Sequence, residues 1–273
     1  IGIPFSEKQI SNIFTRLGMI FQRESGIFLV TPPTYRFDIE IEEDLIAEIA
    51  RVYGFENIPA LLPSSINTMR VLPENQRCLS NIRYQLVSLD YQEMINFSFV
   101  QEIWEADFTS NLQLIKLLNP ISSQMSVMRS SLIAGLVANV KHNVNYNLNR
   151  VRIFEIGTVY IRNQATKNGP LTVAGFDQPK KITALSYGMQ VNEQWGQESR
   201  ITDFFDIKSD LEALFSPITL QFRKIEHPAL NPGRSAQVLI NEKPIGFIGE
   251  LHPYLQQKYD LPLAPVMFEV DSL

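Results

Sequence analysis

A chain of 273 residues, 45% hydrophobic and 19% charged, carries enough apolar material for two domains with packed cores. Its net charge of −5 argues against binding nucleic acid by bulk electrostatics, although a local basic surface or a basic partner stays compatible with it. The single cysteine, Cys78, excludes an internal disulfide and any paired-thiol metal site, which fits a reducing compartment.

The opening residues, IGIPFSEKQI, show no charged leader followed by an apolar run, and no stretch approaches the ~20 apolar residues of a bilayer span. A soluble, cytoplasmic protein is expected, and the abrupt ends suggest a piece of a longer chain. Residues 6–17 read as a helix capped by Ser6, with Ile10, Ile13, Phe14 and Leu17 on one face and Gly18 as its stop. IFLVTPPTYRFDIEI then reads as two extended pieces around a Pro-Pro turn, Phe37, Ile39 and Ile41 facing one way and Asp38, Glu40 and Glu42 the other. From Asp44 the period becomes helical, and Gly54 ends that helix. Residues 1–63 are thus expected to form a small α+β domain, and the proline-interrupted stretch 58–75 a linker or crossover. Within 64–273, helices are predicted over 74–89 (Cys78, Ile82, Leu86 and Leu89 inward), QEIWEADF, 131–148, 203–215 and 253–259. Strands are predicted over 94–100, 112–120, 151–161, 182–190, 218–226, 235–240, 244–251 and 265–270. Hairpin-like spacing, as in LINEKPIG, mixed with a few long helices points to an antiparallel sheet flanked by helices.

Residues 38–48 are the densest acidic stretch. Asp44 and Glu48 stand at i and i+4 on one helix face, and Asp38 could reach the same point through a tight strand-to-helix turn. Three carboxylates completed by water would suit magnesium, which is reluctant to shed its whole hydration shell. The plainer alternative is a solvated helix start, its acids favoured by the dipole and Glu48 neutralised by Arg51. His142, His227 and His252 do not suggest a Ser-His-Asp site. The last two precede proline and read as turn residues bonded to local backbone. No glycine-rich phosphate loop is present.

The order of motifs is more specific than any one of them. TPPTYRFDIEIEEDLIAEIARVYGFENIPALLP, then NPISSQMSVMRSSLIAGLVANVKHN, RIFEIGTVY, FFDIKSDLEALF, HPALNPGRSAQV and IGFIGELHP together resemble the bacterial phenylalanyl-tRNA synthetase beta-subunit family over the whole chain. The resemblance implies a small winged-helix-like domain followed by a non-catalytic core with the class II aminoacyl-tRNA synthetase fold. It also implies an alpha/beta heterotetramer that charges tRNA(Phe) using ATP and magnesium, with the chemistry in the alpha subunit. The family's magnesium site, shared with the alpha subunit, has ligands that match Asp38, Asp44 and Glu48, and the resemblance implies a weak, exchangeable ion there that needs the alpha subunit to fill it. A fourth acid in that pattern, immediately before Glu48, is here Ala47.

The class II comparison also exposes two losses. Where a Phe-Arg-x-Glu element is expected the sequence reads IFEIG, so Ile153 takes the arginine position before Glu155, and Arg152 lies one residue off, on the opposite face of a strand. Where Gly-x-Glu-Arg is expected, Glu250 is followed by Leu251. Guanidinium groups grip triphosphate through charge-assisted forks, so no catalytic or nucleotide site is expected, and the role reads as scaffolding of the alpha subunit and positioning of tRNA. Rival readings are a stand-alone nucleic-acid-binding module, which the acidic helix disfavours, and an autonomous adenylating enzyme, which Ile153 and Leu251 disfavour. Arg129 reads as structural rather than as an interface residue, Trp104 and Trp195 as core, Arg234 as ordering its turn, and the basic stretch 141–152 as a polar helix face or a tRNA contact. An apolar surface left uncovered by the alpha subunit would favour self-association.

Overall fold

The computed structural model describes residues 1–62, 64, 78–109, 111–169 and 172–272. Most of the expected linker and the first turn of the helix predicted over 74–89 lie outside the described residues. The chain divides into two compact units, Ile1–Val71 and Leu72–Leu273.

The first unit runs α1 (Glu7–Arg16), β1 (Ile20–Glu24), β2 (Ile27–Thr31), α2 (Glu42–Tyr53). Ser6 and Gln9 form a capping box at the start of α1: the Ser6 hydroxyl accepts from the Gln9 amide and Gln9 Oε1 accepts from the Ser6 amide. β1 and β2 pair antiparallel around Ser25 and Gly26, both at positive φ (48° and 83°), the backbone a two-residue hairpin turn requires. Ile13, Phe14, Met19 and Ile49 form the core, with the Phe21 ring tilted and the Phe28 ring edge-on against Phe14. The second extended piece expected after the prolines is absent. The chain turns instead, the Arg36 amide donating to the Pro33 carbonyl at 2.9 Å, and Phe37 and Ile41 stay exposed, no strand among the described residues offering 37–41 a ladder.

The second unit contains α3 (Leu79–Ser88), β3 (Gln92–Glu93), β4 (Phe99–Val100), α4 (Glu102–Phe108), β5 (Val127–Met128), α5 (Ile133–Asn145), β6 (Arg150–Thr158), β7 (Ile161–Arg162), β8 (Phe176–Asp177) and β9 (Lys180–Gly188). It continues with α6 (Phe204–Phe215), β10 (Gln221–Lys224), β11 (Leu230–Ile240), β12 (Lys243–Leu251), α7 (Pro253–Lys258) and β13 (Val266–Asp271). Seven strands form one sheet in the order β10-β11-β12-β13-β9-β6-β3. All neighbours pair antiparallel except β3 and β6, which are parallel, so the sheet is mixed rather than purely antiparallel. A parallel pair needs a long crossover, and the segment bearing α4 and α5 supplies it. One face packs on α3 and α6 through Ile82, Leu86, Phe154, Ile207 and Leu211; the other packs on α5 and α7 through Val151, Ile153, Leu136, Leu251 and Leu255. Adjacent residues of β6, Ile153 and Phe154, enter opposite cores, as the two-residue period of a strand demands.

Two predicted strands are not formed. In 94–100 only Phe99 and Val100 pair, with Met128 and Val127, while in 112–120 a single bridge joins Lys116 to Val127. Ile95, Phe97, Leu112 and Leu118 are exposed, so the alternation there marks a surface and not a buried face. Cys78, expected inward, is exposed at the start of α3.

Candidate functional site

The acidic corner of the first unit is organised by an arginine. Arg36 donates from Nε to Asp38 Oδ1 at 2.9 Å and from Nη2 to Asp38 Oδ2 at 2.7 Å, and the same Nη2 reaches Glu48 Oε1 on α2 at 2.8 Å. Arg51 Nη2 takes the other Glu48 oxygen at 2.5 Å. The bidentate guanidinium holds the Asp38 carboxyl down to about 2, and Arg36 and then Arg51 lower Glu48 in the same way. Asp44 is used differently: its Oδ2 accepts from the backbone amides of Glu40 and Ile41 at 2.9 and 3.0 Å, which ties down the entry to α2 and lowers its pKa. Asp38 and Glu48 are thus brought together on one cation, while Asp44 is engaged next to them. Among the described residues no three His, Cys, Asp or Glu side chains are grouped to hold a metal. The donor chemistry, hard carboxylate oxygen, suits magnesium, but the position where Asp38 and Glu48 converge is filled by Arg36. Arg36 is absent from the residues that charge spacing singles out, although its place two residues before Asp38 is a signal in the sequence.

The two positions where the class II comparison expects arginines are apolar and packed. Ile153 and Leu251 both lie in the apolar cluster packed against α5 and α7, and Leu251 has no exposed surface. Arg152 points to the other face. There its guanidinium lies 4.3 Å from the centre of the Tyr91 ring and pairs with Asp210, to which the Tyr91 hydroxyl donates at 2.8 Å. Glu155 is buried and bound by Arg129 Nη1 at 2.6 Å and by Asn96 Nδ2 at 2.8 Å. Glu250 pairs with Arg234 at 2.6 Å. Arg234 therefore lies within β11 and bonds across to β12, not in a turn of its own. Both glutamates that survive from the class II pattern are satisfied inside the protein.

The segment Arg129-Ser130-Ser131-Leu132, which leads into α5, is held by three buried glutamates. Glu155 takes Arg129; Glu105 accepts from the Ser130 amide at 2.9 Å and from its hydroxyl at 2.5 Å; Glu269 accepts from the Ser131 hydroxyl at 2.9 Å and the Leu132 amide at 2.8 Å. Arg129 is structural, as expected. The cavity beside it, lined among others by Asn96, Trp104, Met125 and Leu132, measures about 180 Å³, below the roughly 300–1,000 Å³ of small-molecule sites. His227 and His252 accept through Nδ1 from the amides of Ala229 (3.2 Å) and Tyr254 (3.1 Å), the local bonding their sequence context predicts. Trp104 packs on the core, but Trp195 is fully exposed, contrary to expectation.

The fold is similar to that of a pyrrolysyl-tRNA synthetase from Desulfitobacterium hafniense, which superposes with a TM-score of 0.50 over 98% of this chain and 84% of its own, at 8% identity. Residues 58–272 match the phenylalanyl tRNA synthetase beta chain CLM domain, and residues 1–55 match the tRNA synthetase B5 domain. The chain belongs to the phenylalanyl-tRNA synthetase beta chain family. The phenylalanine–tRNA ligase beta subunit of Burkholderia lata is 54% identical over 272 residues, covering 100% of this chain and 34% of that protein. Those of Burkholderia pseudomallei (53% over 272 residues, 100% and 34%) and Ralstonia nicotianae (50% over 271 residues, 99% and 34%) are similar. The chain therefore spans about a third of the length of these relatives.

Proposed function

We propose that this chain is the part of a phenylalanine–tRNA ligase beta subunit that scaffolds the catalytic alpha subunit and helps to position tRNA(Phe), without joining amino acid to tRNA itself. The assembled cytoplasmic enzyme, an alpha/beta heterotetramer, attaches phenylalanine to tRNA(Phe) with ATP and magnesium, and the alpha subunit holds the nucleotide. The carrying observation is that Ile153 and Leu251 are packed in an apolar core where phosphate-gripping arginines would be needed. Exposed apolar side chains between β3 and β5, Ile95, Phe97, Leu112, Leu118 and Ile121, supply a surface for the alpha subunit and, in its absence, for self-association.

Residues 1–63 form the small domain of this reading and 64–273 the core domain. The helix–hairpin–helix order of the small domain favours a winged-helix-like module, although the acids in the first turn of α2 would repel nucleic-acid phosphate. Magnesium belongs at Asp38, Asp44 and Glu48, in competition with Arg36. When bound, it would supply a fixed positive charge between the segment before α2 and the helix itself.

Calorimetric titration with ATP plus phenylalanine, then with purified alpha subunit and with tRNA(Phe), tests the proposal. Tight association with the alpha subunit and no heat from ATP with phenylalanine are expected. Saturable ATP binding by the chain alone would overturn it, and tRNA binding without any alpha-subunit binding would favour the nucleic-acid module instead.

A further inference from the structure

We propose that Arg36 is the resident cation of the acidic corner and that a divalent ion binds there only by displacing its guanidinium. This rests on the magnesium reading of Asp38, Asp44 and Glu48. Asp38 Oδ2 and Glu48 Oε1, from different segments, meet on a single nitrogen, Arg36 Nη2, at 2.7 and 2.8 Å. The remaining oxygens of both side chains also carry guanidinium N–H groups: Asp38 Oδ1 from Arg36 Nε, Glu48 Oε2 from Arg51 Nη2. Magnesium demands oxygens at about 2.0–2.1 Å in octahedral array, so ion and guanidinium would need the same lone pairs in the same place, and two positive centres at that separation repel. Exchange is therefore exclusive.

The neighbouring residues make the exchange one-sided. Asp44 cannot compensate freely, because its Oδ2 fixes the Glu40 and Ile41 amides. Ala47, adjacent to Glu48, offers no further oxygen. Arg51 stays on Glu48 from within α2 whether or not Arg36 leaves. Arg36, by contrast, sits on the segment before α2 and holds Asp38 and Glu48 together from there. With Arg36 withdrawn, the three carboxylates gain one uncompensated negative charge, the condition that favours a divalent ion. The corner thus has its own tie in the absence of metal, and metal occupancy depends on the rotamer of one arginine.

The test is Mn²⁺ binding by paramagnetic resonance, and Mg²⁺-dependent thermal unfolding, on the whole chain as wild type, Arg36→Ala, and Arg36→Ala combined with Asp38→Asn and Glu48→Gln. Arg36→Ala is expected to bind Mn²⁺ at least about tenfold more tightly than wild type. It should also unfold at a higher temperature with Mg²⁺ than with chelator, and both effects should vanish in the triple variant. Wild type should melt at the same temperature with Mg²⁺ or chelator. Equal binding by wild type and Arg36→Ala, lost in the triple variant, would overturn the exchange while leaving the magnesium reading intact. No binding by folded Arg36→Ala overturns both. If alanine unfolds the small unit, Arg36→Gln retains one donor for Asp38 and is measured the same way, with the same outcomes.

Discussion

Arg129 Nη1 lies 2.6 Å from Glu155 Oε1, and both side chains are almost completely buried. Arg129 Nε donates to the Thr158 carbonyl at 3.1 Å, Asn96 donates to the other Glu155 oxygen, and Asn139 donates to Asn96 at 3.0 Å. A buried pair contributes little net stability over a well-packed apolar replacement, but removing one partner strands the other charge. Arg129→Ala and Glu155→Ala are each expected to cost about 3–5 kcal/mol in urea denaturation. The double variant should cost clearly less than the two together, because neither charge is then orphaned. Strict additivity would mean that the pair acts through packing alone.

Glu269 lies in the interior between β9, β12 and α5, and one of its oxygens accepts from Ser131, Leu132 and Thr183. Burial raises its pKa, and the three hydrogen bonds oppose that rise only in part. The folded value lies above the unfolded one, so ionising this carboxyl costs more in the folded chain, and stability declines as pH rises from the unfolded value of about 4.3 through the folded one. Glu269→Gln keeps an acceptor oxygen for all three donors and cannot ionise. It should be at least as stable as wild type at neutral pH and lose this part of the pH dependence. Glu269→Ala, which orphans the donors, should lose about 3 kcal/mol. A neutral-pH loss as large for Gln as for Ala would contradict the assignment.

Burial also pushes His227 down to about 4. Its ring packs 4.1 Å from that of Phe247, centre to centre, and Nδ1 accepts from the Ala229 amide, so the proton of the neutral ring sits on Nε2. The folded value is below the unfolded value of about 6.5. The stabilisation is therefore intact above about 6.5 and is lost as pH falls toward 4. The imidazole resonances should titrate near 4 in nuclear magnetic resonance. His227→Asn, which preserves an acceptor for Ala229, should flatten the stability profile between those limits. A midpoint near 6.5 would mean that the ring is solvated.

What could be read in the sequence followed the range of the interaction. Ser6, Gly18 and the apolar stripe of α1, or the turn at Asn241 and Glu242 between β11 and β12, are local, and they lie where the pattern puts them. The facing of Ile153 and Arg152 into opposite cores followed from strand period alone. By contrast, MINFSFV alternates like a strand yet leaves Ile95 and Phe97 exposed, because alternation reports two unlike faces and not which face meets a partner. β1 is not among the predicted strands, although Ser25-Gly26 signals its hairpin. The glutamates that hold Arg129 to Leu132 come from 25 to 138 residues away in sequence, and no local period brings them together. At the acidic corner the carboxylates were evident but their cation was not, since Arg36 reaches Glu48 only through the turn that replaced the expected strand.

The scaffold reading has its own mutational test at Ile153 and Leu251. If Ile153 and Leu251 merely lacked a charge, Ile153→Arg with Leu251→Arg would restore affinity for ATP. Both positions, however, are enclosed in the cluster formed with Leu136, Val140 and Leu255, so each new guanidinium would displace packed side chains and be stripped of water with no carboxylate to meet it. Glu155 and Glu250, the nearest class II remnants in sequence, are already committed to Arg129 and Arg234. Burying an unpaired charge costs several kcal/mol even after relaxation, and the overpacking adds about 1–3 kcal/mol. Against a typical domain stability of about 5–15 kcal/mol, the double variant should be largely unfolded by circular dichroism and should bind no ATP. Leu251→Met, which preserves volume, should stay folded and equally unable to bind nucleotide. ATP binding by a folded double-arginine variant would mean that the site was silenced by two substitutions and not filled by a core.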